Sequence, residues 1–178
     1  IKGERVQLVR IEPQADFTRE IYLSLTLNRT RKVFSLTIGR DGGVDIESAA
    51  LDSVLVQDVV IDEGLQPFQI RNAFYHAQLP KELLRPWSML LTNLFSMVLR
   101  NRLLLAEINP LVVTSDTLLA LDGKVEIDDH HVNIDPELNR FFQPEHLSIE
   151  ENRSRSAGLS FHKLDGFVGL MVNGAGLA

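Results

Sequence analysis

The chain contains no cysteine, so disulfides and thiolate metal sites are excluded. Their absence fits a reducing compartment. It has no apolar run near the ~20 residues that a helix needs to cross a bilayer, and Ile1-Lys2-Gly3-Glu4 is not a secretion signal. It also lacks a basic stripe or a Lys/Arg-rich arm: Asp and Glu number 24 against 18 Lys and Arg, for a net charge of −6. A sequence-independent nucleic-acid binder must displace counterions with such a patch, so that class is set aside. What is present is ordinary for a folded domain. The 178 residues, 44% apolar, suffice for one buried core.

Glu20 to Thr26 and Val33 to Ile38 are apolar and β-branched runs flanking Asn28-Arg29-Thr30, the pattern of an antiparallel hairpin. Gly42-Gly43 then breaks the pattern. From Pro67 to about Leu79, and again after Pro80, apolar residues recur at helical spacing. The second stripe (Leu83, Leu84, Trp87, Leu90, Leu91, Leu94, Phe95, Val98) reads as core packing. Leu103 to Val113 and Leu118 to Leu121 fit buried strands. Asp122-Gly123 is expected to turn the latter into Val125-Glu126-Ile127 as a hairpin. Glu145 to Arg155 is polar and charged, an exposed helix or linker, and Phe167 to Val172 is expected to be a buried strand. This order predicts a mixed α/β arrangement of the α+β type with an antiparallel sheet. Both ends read as cut, since a strand opens the chain and a glycine turn closes it.

Two segments place polar ligands inside apolar strands, where an unpaired carboxylate is costly: Glu107-Ile108-Asn109-Pro110-Leu111 and Leu121-Asp122-Gly123-Lys124. Strand alternation sends Glu107 and Asn109 to one face and Ile108 to the other. If the two segments pair through a turn at Thr114 to Thr117, Asp122 lies across from Asn109. Two carboxylates and an amide oxygen are hard ligands of the kind Mg²⁺ takes alongside water and phosphate. The plainer alternative makes Glu107 and Asp122 solvated or ion-paired residues at strand ends.

Glu-Ile-Asn-Pro-Leu at 107–111, Leu-Asp-Gly-Lys at 121–124 and Met171-Val172-Asn173-Gly174-Ala175-Gly176-Leu177-Ala178 together resemble the β subunit of succinyl-CoA synthetase. The resemblance runs through the whole chain. Glu12 and Glu20 are similar to its nucleotide-edge segment, Gly42-Gly43-Val44-Asp45-Ile46-Glu47 to its Gly-Gly turn, and Gly64-Leu65-Gln66-Pro67-Phe68-Gln69 to the helix start that follows. The resemblance implies the second subdomain of an ATP-grasp fold over residues 1–144. A linker at 145–160 and the start of a flavodoxin-like CoA-ligase domain at 161–178 would follow.

It further implies that Asn109 and Asp122 hold Mg²⁺ against the phosphates of ATP or GTP, with Glu107 poised as the catalytic residue over the transferring phosphoryl group. Glu12, Ala15 and Glu20 would meet the base and ribose, and Asn173 the acid substrate or its acyl-phosphate. The implied enzyme is a carbon–sulfur ligase joining a dicarboxylic acid such as succinate to CoA, in the cytoplasm or mitochondrial matrix. Its phosphohistidine and CoA site lie on a partner α subunit; His130, His131 and His162 read as surface or structural. Malate–CoA ligase, the matching section of a citrate-cleaving lyase and a non-catalytic nucleotide-binding module are the alternatives. Two departures stand out: Ile134 occupies a family arginine position, and no stretch matches the glycine-rich loop of the first subdomain. The chain alone is therefore expected to be inactive.

Overall fold

The computed structural model describes residues 11–44, 46, 50–128, 137, 147–159, 161, 163 and 166–173. Two units divide the chain, Ile1–Val132 and Asn133–Ala178. His130, His131, His162, Ile134 and the turn at 174–178 lie outside the described residues.

In the first unit, strands β1 (Arg19–Asn28), β2 (Val33–Gly39), β3 (Val54–Val60), β4 (Leu103–Val113), β5 (Leu118–Ala120) and β6 (Gly123–Ile127) form one sheet. The order is β3-β2-β1-β4-β5, with β6 also on β4, and every pairing is antiparallel. Period-two alternation sorts the side chains. Ile21, Leu23 and Leu25 of β1 join Phe34, Leu36 and Ile38 of β2 and Ala106 and Ile108 of β4 in the core.

Helices α1 (Pro67–His76) and α2 (Leu84–Arg100) supply the rest of that core. Pro67 starts α1, where a missing N–H costs nothing. The Gln69 side chain accepts the Gln66 N–H there at 2.9 Å. A 3-10 turn, Lys81–Leu83, leads into α2. Of the expected stripe, Leu83, Trp87, Leu91, Leu94, Phe95 and Val98 are buried, whereas Leu84 is exposed and Leu90 only partly buried. Trp87 has no exposed surface, and its Nε1–H donates to the Ile70 carbonyl at 3.1 Å, pinning α2 to α1. Burying one such side chain contributes roughly 1.5–3 kcal/mol, so this stripe is a main source of stability.

The structure corrects three expectations. Asp122-Gly123 is not a hairpin turn, because β5 and the start of β6 pair with β4 in one continuous register and so form one interrupted strand. Leu118 to Leu121 is not a buried strand either. It lies at the sheet edge, with Leu119 and Leu121 exposed. Phe167 to Val172 is neither strand nor buried. A strand needs a partner edge for its backbone groups, and the described part of the second unit includes helix α3 (Ile149–Ser156) but no strand. Strand β3 is an addition, a Val-rich run that pairs with β2.

Helix α3 occupies the polar stretch expected as helix or linker. It opens on a capping box: Ser148 Oγ accepts the Glu151 N–H at 3.2 Å, and Glu151 Oε2 accepts the Ser148 N–H at 2.8 Å. Among the described residues, no helix is long and apolar enough to cross a membrane.

Candidate metal and nucleotide site

The sheet face away from the helices carries the polar residues. On β1 these include Glu20, Tyr22 and Ser24, which alternate with the core residues Ile21, Leu23 and Leu25. On β4, Glu107 and Asn109 alternate with Ala106 and Ile108 in the same way. The expected facing of Glu107 and Asn109 therefore holds.

The expected cross-strand partner also holds. Glu107 pairs with Lys124 and Ile108 with Gly123, and the next step of that ladder puts Asn109 opposite Asp122. The Asn109 N–H donates to the Asp122 carbonyl at 3.3 Å, and the Leu121 N–H to the Pro110 carbonyl at 3.1 Å. The turn at Thr114 to Thr117 is closed by the Thr114 N–H on the Thr117 carbonyl at 3.0 Å. Residues directly opposite in an antiparallel pair share a face, with Cβ atoms about 4.5–5.5 Å apart. Asn109 and Asp122 are thus neighbours across the two strands.

On its other side β4 is bulged. Leu23 pairs with Ile108 but Ile21 with Leu111, so Asn109 and Pro110 together oppose Tyr22. The Asn109–Pro110 peptide is cis. At this bulge the Asn109 carboxamide reaches across to the loop after β2. Its Oδ1 accepts the Gly43 N–H at 2.7 Å, and its Nδ2 donates to the Val44 carbonyl at 3.1 Å.

Glu107 is half-buried and accepts the Tyr22 hydroxyl on Oε2 at 2.8 Å. Burial above all, then the Glu107 carboxylate as hydrogen-bond acceptor and as a charge, raises the Tyr22 phenol to about 12, against an opposing hydrogen bond with Ser24. Tyr22 therefore stays a neutral donor throughout the physiological range. Asp122 is exposed, and its Oδ1 accepts the Gly123 N–H at 2.8 Å.

Glu20, the second residue of β1, lies beside Gly42 and Gly43. It lines a cleft of about 290 Å³ with Phe17, Arg19, Arg40, Asp41 and Gly42. The two arginines are anchored at the end of α1, Arg19 on the Gln78 carbonyl at 3.0 Å and Arg40 on that of His76 at 3.1 Å.

The structure thus brings Glu20, Glu107, Asn109 and Asp122 to one face. Glu12 and Ala15 lie on the segment that leads into β1, and Asn173 is exposed in the second unit. Sequence reasoning missed Tyr22 and the Gly43 contact. Alternation from Glu20 could have put Tyr22 on this face, but only the register shows that it meets Glu107.

Among the described residues there is no group of three His, Cys, Asp or Glu suited to a metal. The donors here are instead two carboxylates and an amide oxygen. Asn109 Oδ1 has a second lone pair beyond Gly43, and Asp122 is open to solvent. That set fits a hard divalent cation sharing its shell with phosphate oxygens and water.

The sheet thus carries helices on one face and hard oxygen donors on the other. The sequence pattern of the ATP-grasp domain matches residues 1–113, and the chain belongs to the ATP-grasp family. It is similar over nearly its whole length to β subunits of ADP-forming succinate–CoA ligase. Identity is 36% with that of Geobacter sulfurreducens (99% of this chain, 47% of the relative). It is 32% with that of Orientia tsutsugamushi strain Ikeda (99% and 47%) and 33% with subunit beta 2 of Archaeoglobus fulgidus (100% and 48%). The chain spans about half the length of these relatives. Its fold is similar to that of ATP citrate lyase from Methanothrix soehngenii, solved with citrate and coenzyme A. The TM-score is 0.60 at 19% identity, covering 82% of this chain and 34% of that one.

Proposed function

We propose that the chain binds a magnesium nucleotide within an acid–CoA ligase of the succinate–CoA ligase type. Asn109 paired with Asp122 beside Glu107 carries this reading, because hard oxygen donors share a face of the sheet. The similarity to named ligase β subunits at 32–36% identity supports the reaction class.

In this reading the reaction joins ATP or GTP, succinate and CoA into succinyl-CoA, nucleoside diphosphate and phosphate. Acyl-phosphate and phosphohistidine intermediates lie between, with the histidine and the CoA site on an α-type partner. Asn109 and Asp122 hold Mg²⁺, which neutralises phosphate charge during phosphoryl transfer. Tyr22 keeps its proton on Oη and fixes the Glu107 carboxylate toward the phosphoryl group. Glu20 meets the nucleotide with Glu12 and Ala15, and Asn173 contacts the acid.

Calorimetric titration of the chain with ADP or ATP, with and without Mg²⁺, tests this reading. Binding is expected to require Mg²⁺ and to weaken on the order of 10–100-fold when Asn109→Ala and Asp122→Ala are combined. Magnesium-dependent affinity that survives the double substitution would overturn it.

A further inference from the structure

We propose that Gly43 is a positioning residue: with Gly42 it forms a spacer, clamped between Glu20 and Asn109, that sets the Glu20 carboxylate at its distance from the metal edge. This rests on the nucleotide reading above and adds a residue that touches no ligand.

Three contacts hold the spacer. The Gly42 N–H donates to the Glu20 carbonyl at 3.2 Å. The Asn109 carboxamide grips both the Gly43 N–H and the Val44 carbonyl, at 2.7 and 3.1 Å. The Glu20 side chain lies against Gly43 itself, for a Cβ added there would stand 2.6 Å from Glu20 Oε2. Gly43 also has φ of +70°, in the region that favours glycine.

The two glycines differ in what they exclude. A Cβ at Gly42 would meet the Ile21 backbone, N and O each at 2.7 Å, which cannot yield without breaking β1. A Cβ at Gly43 meets the far end of a flexible side chain. It would push the Glu20 carboxylate aside and strain the loop at φ +70°, while leaving β1 in place. Asn109 thus has two duties at one carboxamide. One lone pair of Oδ1 is committed to the loop, and the other is open to a cation. Through Gly43, the metal edge and the Glu20 edge become one rigid piece.

A double-mutant cycle on magnesium-nucleotide affinity tests this, with Gly43→Ala and Glu20→Ala made singly and together. Each single change is expected to weaken binding roughly tenfold, from the hydrogen bonds Glu20 no longer makes. The pair should lose less than the sum of the two single changes, because displacement of an absent carboxylate has no effect and only the strain at residue 43 remains. A purely structural role for Gly43 predicts additive losses, which would overturn the inference. So would Gly43→Ala binding as tightly as the parent.

If Gly43→Ala does not fold, the parent chain supplies the test by NMR. The Gly43 amide should exchange slowly, held by Asn109, and its resonance should move on addition of MgADP. A Gly43 resonance that stays in place while others shift would overturn the inference alone. A parent chain that binds no nucleotide overturns the nucleotide reading, and this inference with it.

Discussion

The Tyr22 hydroxyl donates to Glu107 Oε2 at 2.8 Å across neighbouring strands, and burial makes the contact one-sided. Tyr22 is 5% exposed, so its phenolate has almost no solvent and would face a carboxylate. The phenol therefore remains protonated, and Glu107 keeps a donor that fixes its direction.

The alkaline limb of stability should report this pair. Burial, then Glu107, raises the folded pKa to about 12 from the ordinary tyrosine value of 10.0. The folded state thus holds a proton that the unfolded state has lost between those values. The resulting stabilisation is fully present below pH ~10 and lost as pH rises through about 12. Ultraviolet titration at the phenolate band should show a high-pH step that Tyr22→Phe removes. The same substitution should cost about 1–2 kcal/mol at neutral pH, measured by urea unfolding.

Gly42→Ala should be the most disruptive change at the site. The added methyl would meet the Ile21 backbone at 2.7 Å, and Ile21 is fully buried. Loss of the Gly42 N–H bond to Glu20 would follow. A melting temperature lowered by several degrees, without any nucleotide present, is the expected outcome. An unchanged melt would show that the loop can move freely away from β1.

Trp87→Ala should cost about 3–5 kcal/mol, because a wholly buried indole leaves a cavity and the Ile70 carbonyl loses its donor. Denaturant unfolding measures it. The polar face lies across the sheet, so material that remains folded should still bind magnesium nucleotide.

In the second unit, Ser148→Ala should remove one half of the α3 capping box and cost about 1 kcal/mol of helix stability. The Glu151 amide should then exchange faster, as read by NMR hydrogen exchange.

The sequence by itself determined the elements whose periodicity is strong. The β1–β2 pair follows from alternation around Asn28-Arg29-Thr30, and α1 and α2 follow from apolar stripes behind prolines that helices tolerate. It also allowed Asp122 to lie across from Asn109 through a turn at Thr114 to Thr117, a pairing whose register the structure then supplied. Local pattern sufficed for the β1–β2 pair and the two helices because the interactions that decide them lie within a few residues.

Only the tertiary structure decided the rest. Val54–Val60 becomes an edge strand because β2 offers it a free ladder, and residues 118–127 form one interrupted strand because β4 is long enough to pair with both parts. Phe167 to Val172 has strand-like composition but no partner edge among the described residues of its unit. The contacts of Tyr22 with Glu107 and of Gly43 with Asn109 span 85 and 66 residues. Such pairs depend on strand order and on a bulge at Asn109-Pro110. Those features are set by the packing of the whole sheet, which no local window of sequence contains.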